Sequence, residues 1–113
     1  MAPMSETVTR LRKEAIECAL HGRGRATGNA RRAAFDNSGV IEAARGLVDK
    51  VAKTAWTITD EDVAAVKRAG CSDDQVFELA VCASYGQATR QLESALAALD
   101  EATTPTAKKQ VAP

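Results

Sequence analysis

Three residues near the N-terminus combine the side-chain types that thiol chemistry needs. Glu14, Cys18 and His21 recur at steps of four and three, so one helical face can carry a carboxylate, a thiol and an imidazole together. In such a set the imidazole takes the thiol proton and the carboxylate orients the imidazole, giving a thiolate nucleophile. The placement has a cost, because the C-terminal end of a helix does not stabilise an anion. The competing expectation is that Cys18 is a small core residue on a stripe with Val8, Leu11 and Ala15. Cys71 and Cys82 have no histidine near them in sequence, so packing is expected of both.

A second cluster, Arg23, Arg25, Arg31 and Arg32, surrounds three glycines whose backbone amides can approach a phosphate. The pattern matches neither the phosphate-loop nor the dinucleotide fingerprint, and no aromatic is interleaved for base stacking. A solvated basic loop, or one paired with carboxylates of a neighbouring subunit, is therefore expected. One histidine and three scattered cysteines have no metal-ligand spacing, so no metal and no cofactor are assigned.

The elements that must position these residues are helical throughout. Ser5 is a cap for a helix from about Glu6 to His21, stopped by Gly22. The stretch from His21 to Gly28 reads as a mobile glycine loop, followed by a short helix from Asn29 to Phe35 ended by Asp36-Asn37-Ser38-Gly39. Ile41, Ala44, Val48, Val51 and Ala55 mark a longer helix from about Val40 to Ala55, and Trp56-Thr57-Ile58 is expected to be a buried connector. Thr59 caps Asp60-Glu61-Asp62, whose carboxylates suit the positive end of a helix dipole, and Gly70 ends that helix. Ser72 and Gln75 then form a capping box. From Asp73 the apolar pattern Val76, Phe77, Leu79, Ala80, Ala83, Leu92, Ala95, Leu96 and Leu99 continues to about Glu101. Gly86 interrupts it, which predicts a kink or, better suited to an alanine-rich bundle, a close helix crossing.

The run from Thr59 to Leu79, an acid-capped helix, a glycine corner and a long helix, resembles the C-terminal part of alkylhydroperoxidase D-like proteins in the carboxymuconolactone decarboxylase superfamily. The resemblance covers about Val40 to Leu99. It implies an all-α, oligomeric protein, and in active members a Cys-x-x-Cys pair with nearby His and Glu for thiol-dependent peroxide reduction. This chain has no Cys-x-x-Cys. The expectation is thus a non-catalytic binding or accessory subunit, with a thiol-dependent redox enzyme using Cys18, His21 and Glu14 as the alternative.

The bulk properties agree with a single all-α domain over 1–102, a compact bundle of about five helices, with a disordered tail over 103–113. Among 113 residues only Phe35, Trp56, Phe77 and Tyr85 are large aromatics, so the core is built from small side chains and is thin. Burial between subunits would supplement it, so a homo-oligomer is expected, and a protein partner is compatible with the accessory role. Fifteen basic residues balance fifteen acidic ones, which gives no global field for nucleic acid or an anionic membrane. No stretch approaches the roughly 20 apolar residues of a membrane-spanning helix. An odd number of widely spaced cysteines fits a reducing, cytoplasmic setting.

Overall fold

The computed structural model describes residues 2–103, and over these the chain is all-α. Five helices follow in order: α1 (Ala2–His21), α2 (Gly28–Asp36), α3 (Glu42–Lys53), α4 (Asp60–Arg68) and α5 (Asp73–Thr103), with one 3-10 turn at Ala55–Thr57. Helix α1 starts before Ser5, which therefore lies inside it rather than capping it. The tail expected from residue 103 begins no earlier than 104, since Thr103 is still helical, and 104–113 lie outside the described residues.

Local capping chemistry sets the element boundaries. The hydroxyl of Thr27 accepts from the Ala30 amide at the start of α2, and Asn37 ends the helix in the left-handed conformation at φ 52°. Thr59 and Asp62 form a full capping box at α4. Ser72 and Gln75 form the expected one at α5, with the Ser72 amide donating to Gln75 Oε1 at 2.7 Å and the Gln75 amide to Ser72 Oγ at 3.2 Å. Between them Gly70 takes φ +108°, so the corner forms as anticipated.

The core gathers where α2, α3 and α4 lie against the first half of α5. Ala34, Ala44, Val48, Val66 and Ala83 are fully buried, with Leu20, Leu47, Leu79 and Cys82 around them. The closest approach is at Gly86, where a Cβ would stand 1.8 Å from the Phe35 carbonyl oxygen. Only glycine permits that contact, so the residue marks a helix crossing rather than a kink. Arg90 donates to the same Phe35 oxygen at 2.7 Å, satisfying a carbonyl that the end of α2 leaves without an intrahelical partner.

Three expectations about faces are corrected. The stripe Val8, Leu11, Ala15, Cys18 does not face the core; Val8, Leu11 and Cys18 are exposed, and α1 instead packs Ile16, Ala19 and Leu20 inward. Trp56 is 82% exposed, because the 3-10 turn swings the indole outward and leaves Ile58 to pack on the core. Phe77, Leu92, Leu96 and Leu99 of α5 are likewise exposed, as is Ile41 at the start of α3.

Every residue of α5 from 91 to 100 is exposed. At 1.5 Å per residue the last 13 residues carry the helix roughly 20 Å beyond Arg90. The described chain measures 58 × 34 × 23 Å with a radius of gyration of 17.9 Å, against about 13 Å for a chain of this length folded about one centre. The excess belongs to helical arms that leave the bundle.

The Gly86 crossing yields a prediction. Helix propensity alone would make Gly86→Ala stabilising by about 1 kcal/mol, but the added methyl meets backbone that has no way to rotate aside. The steric cost wins, and a net loss of about 2 kcal/mol in urea-unfolding free energy is expected; a variant as stable as the parent would show the helices are further apart.

Candidate functional site

The sequence-level site residues divide into two groups in space. Glu14 lies 3.9 Å from Arg10 and His21 lies 4.0 Å from Glu17, in both cases one helical turn away on the outer surface of α1. Each is a solvated pair worth little. Cys18 is exposed, which overturns its expected packing role. It opens on a small cleft of about 100 Å³ whose other walls include Arg23, Arg31, Phe77 and Glu78. The acid and imidazole thus have charged partners of their own on the helix, while the thiol faces arginines and α5.

The arginine cluster is divided in the same way. Arg32 stays outside, 3.1 Å from Asp36 and with its guanidinium 5.3 Å from the centre of the Phe35 ring. Arg23 and Arg25 are exposed. Arg31 is only 4% exposed, so it is no part of a solvated loop. Its Nη1 donates to the Gly22 carbonyl at 2.7 Å and its Nη2 lies 3.6 Å from Glu78 Oε1. Burial of this guanidinium is tolerable because a carboxylate of the same chain faces it, not one from a neighbouring subunit.

Glu78 is the residue that sequence reasoning missed. Its carboxylate accepts from the Arg25 amide at 2.9 Å on both oxygens and from the Ala26 amide at 2.7 Å, besides facing Arg31. Gln75 Nε2 adds a bond to the Arg25 carbonyl at 3.3 Å. The loop expected to be mobile is thereby tied to α5. Gly24 completes the fit, since a Cβ there would stand 1.9 Å from Arg31 Nη2. One signal in the sequence marked Glu78: it stands three and four residues before Val81 and Cys82, so a carboxylate shares a helix face with apolar residues on its C-terminal side.

Burial works to raise the pKa of Glu78, but the amides of Ala26 and Arg25 and the charges of Arg31 and Arg25 outweigh it, so the carboxyl titrates below its ordinary value. Arg31 Nε is buried without an acceptor among the described residues. Cys82 lies beneath the cluster, its Sγ 3.3 Å from the Ala19 carbonyl, and burial pushes its thiol pKa up. Burial gives Cys82 the packing role expected of it, and Cys71 is half-buried against the core.

Compared with family models, curated proteins and solved structures, the chain matches none. The site therefore has to be read from its own groups. Its amides and guanidinium are already occupied by Glu78, and what it leaves accessible is one thiol, Cys18, beside an exposed phenyl ring. A separate apolar groove of about 340 Å³ lies on the other side of the loop, between Ala30, Val40, Ile41, Cys71, Gln75 and Leu79. Among the described residues no three His, Cys, Asp or Glu side chains gather to hold a metal ion.

Two measurements check this description. Replacing Glu78 by Gln leaves the Arg31 guanidinium buried without its counter-charge and is expected to cost about 2 kcal/mol at pH 7, or roughly 10 °C in Tm. Because the folded carboxyl titrates below the unfolded one, this contribution is complete above the unfolded pKa of about 4.3 and fades as pH falls through the folded value. The gap between the parent and Glu78→Gln should accordingly narrow in acid; a gap independent of pH would show that the charge of Glu78 contributes nothing. In native protein at pH 8, iodoacetamide should label Cys18 first and Cys82 only on unfolding. Equal labelling of the two would mean that α1 does not cover Cys82.

Proposed function

We propose that this chain is a non-catalytic helical protein that works as an oligomeric binding or accessory subunit on an alkylhydroperoxidase D-like scaffold. The observation that carries the reading is the far half of α5. A helix segment exposed on all sides gains no tertiary burial, and short helices in water are marginal on propensity alone. Here that segment also exposes Leu92, Leu96 and Leu99, spaced four and three apart along one face. Covering three leucines contributes about 2 kcal/mol for each that becomes fully buried. A partner surface accounts for both the length of the helix and the side chains on it.

The scaffold part of the reading rests on the acid-capped α4, the Gly70 corner and the long α5 that follows it. The non-catalytic part draws support from Glu14 and His21, whose nearest charged neighbours on α1 are Arg10 and Glu17. Three free thiols suit a reducing compartment, so we assign the protein to the cytoplasm. Among the described residues no helix is long and apolar enough to cross a membrane.

Size-exclusion chromatography with light scattering provides the test. The chain should run as an oligomer at micromolar concentration, and Leu96→Glu should reduce it to a monomer, with far-ultraviolet circular dichroism losing only the part of the helical signal that belongs to the uncovered end of α5. A parent chain that is monomeric at 100 times that concentration would sink the reading.

A further inference from the structure

Of the three cysteines only Cys18 is exposed, and the cleft at its side chain is built by α1, the loop, α2 and α5 together. The sulfur lies over Gly22, where an added Cβ would stand 3.2 Å from it. The same Gly22 offers its carbonyl to Arg31 Nη1 at 2.7 Å, so thiol and guanidinium meet the chain at one residue. The cleft they share holds about 100 Å³, and its remaining walls include Arg23, Phe77, Glu78 and Val81.

Two groups in this cleft lack a partner of their own. Arg31 is 4% exposed and uses Nη1 on Gly22 and Nη2 on Glu78, but its Nε has no acceptor among the described residues. A buried N–H left this way is costly, and an oxygen brought to it relieves the cost. Arg23 is exposed and makes no hydrogen bond or ion pair among the described residues. The one carboxylate in the wall, Glu78, is engaged by two amides and by Arg31. Glu14 and Glu17 do not line the cleft, and they lie 3.9 Å from Arg10 and 4.0 Å from His21. The thiol is thus left beside an uncompensated positive charge, an orphan donor and a phenyl ring that is 69% exposed.

The geometry points to Cys18 as a site of reversible mixed-disulfide formation with a small disulfide that carries a carboxylate. The Cys18 thiolate attacks one sulfur of the disulfide and the S–S bond breaks. A new S–S bond joins Cys18 to one half of the reagent, and the other half leaves as a thiolate. One disulfide is consumed and one is formed, so no further oxidant is required. Attached there, the stem of the adduct lies along Phe77, and its carboxylate meets Arg23 and the Arg31 Nε–H. Size restricts the class, because 100 Å³ is about three water volumes, room for a carboxylate on a two-carbon stem and not for an aromatic ring. Excess thiol removes a cap of this kind by the reverse exchange.

The test uses the full chain carrying Cys71→Ser and three disulfides on the same two-carbon stem: dithiodipropionate, bis(2-hydroxyethyl) disulfide and cystamine, which are anionic, neutral and cationic. Rates at Cys18 are read by peptide mass spectrometry and divided by those of the same chain unfolded in urea, which cancels the intrinsic differences among the reagents. At low salt the anionic reagent should gain about fivefold over the neutral one in the folded chain, and cystamine should fall below both. Most of that gain should vanish in Arg23→Gln and at high salt, and persist in Arg23→Lys. Arg23 is exposed and holds no other group, so both variants keep the fold. The propionate adduct should also melt above the hydroxyethyl adduct, since a carboxylate is the stronger acceptor for the orphan donor. Relative rates equal to those of the unfolded chain would overturn the proposal. A preference that Arg23→Gln leaves intact would overturn it as well, and so would a propionate adduct that melts no higher than the hydroxyethyl one.

Discussion

The carboxylate of Glu78 ties together parts of the chain that have little else to hold them in register. It accepts two backbone amides of the glycine loop and faces the guanidinium of Arg31, which in turn holds the Gly22 carbonyl. Through these contacts α5, the loop, the start of α2 and the end of α1 share one charge pair. A carboxylate of this kind is stable within a packed interface only when several donors meet it, and its amide partners are supplied by a loop that forms no regular structure of its own. The loop is therefore ordered by α5 rather than by its own sequence.

The packing follows from that attachment. With α2 held against α5 at Glu78, the next turns along the two helices bring Ala34 onto the core and Phe35 over Gly86, where only a missing Cβ allows the backbones to meet. Small residues at the crossing turn a thin alanine-rich core into a dense one, since interaxial distance falls with side-chain size. Arg90 closes the interface by satisfying the Phe35 carbonyl. Past that point every described residue of α5 is exposed, and the apolar pattern that began in the core continues into solvent.

How much of this was legible in the sequence depended on the range of the interaction. The Ser72–Gln75 box, the Thr59 cap and the Gly70 corner are contacts over three or four residues, and all are found where their residue types place them. The close crossing at Gly86 was legible because a glycine in an alanine-rich helix has few other uses. The faces were not. Helix α1 carries apolar residues on two stripes, and periodicity alone cannot say which of Val8-Leu11-Ala15-Cys18 or Ile16-Ala19-Leu20 meets the core. The aromatic and β-branched run Trp56-Thr57-Ile58 reads as a buried connector, but the position of Trp56 is set by the geometry of a 3-10 turn. Of the four arginines singled out, Arg31 differs from its neighbour Arg32 only through Glu78, more than forty residues away, and no local pattern carries that distinction.

The same clasp connects the interior to the exposed arms. Arg31 bonds the Gly22 carbonyl at 2.7 Å and reaches the Ala19 carbonyl at 3.5 Å, while Cys82 Sγ approaches that Ala19 oxygen from α5. These are carbonyls at the C-terminal end of α1, where the helix leaves them without intrahelical donors. Satisfying them from α2 and α5 fixes the direction in which α1 departs, and a helix fixed at one end carries that direction along its length. The direction in which Val8 and Leu11 face solvent is thus decided some ten residues away, by a buried guanidinium and a buried thiol. Loss of the Glu78 charge would act on the core first and on the outward stripe as a consequence, because both depend on where the last turn of α1 is held.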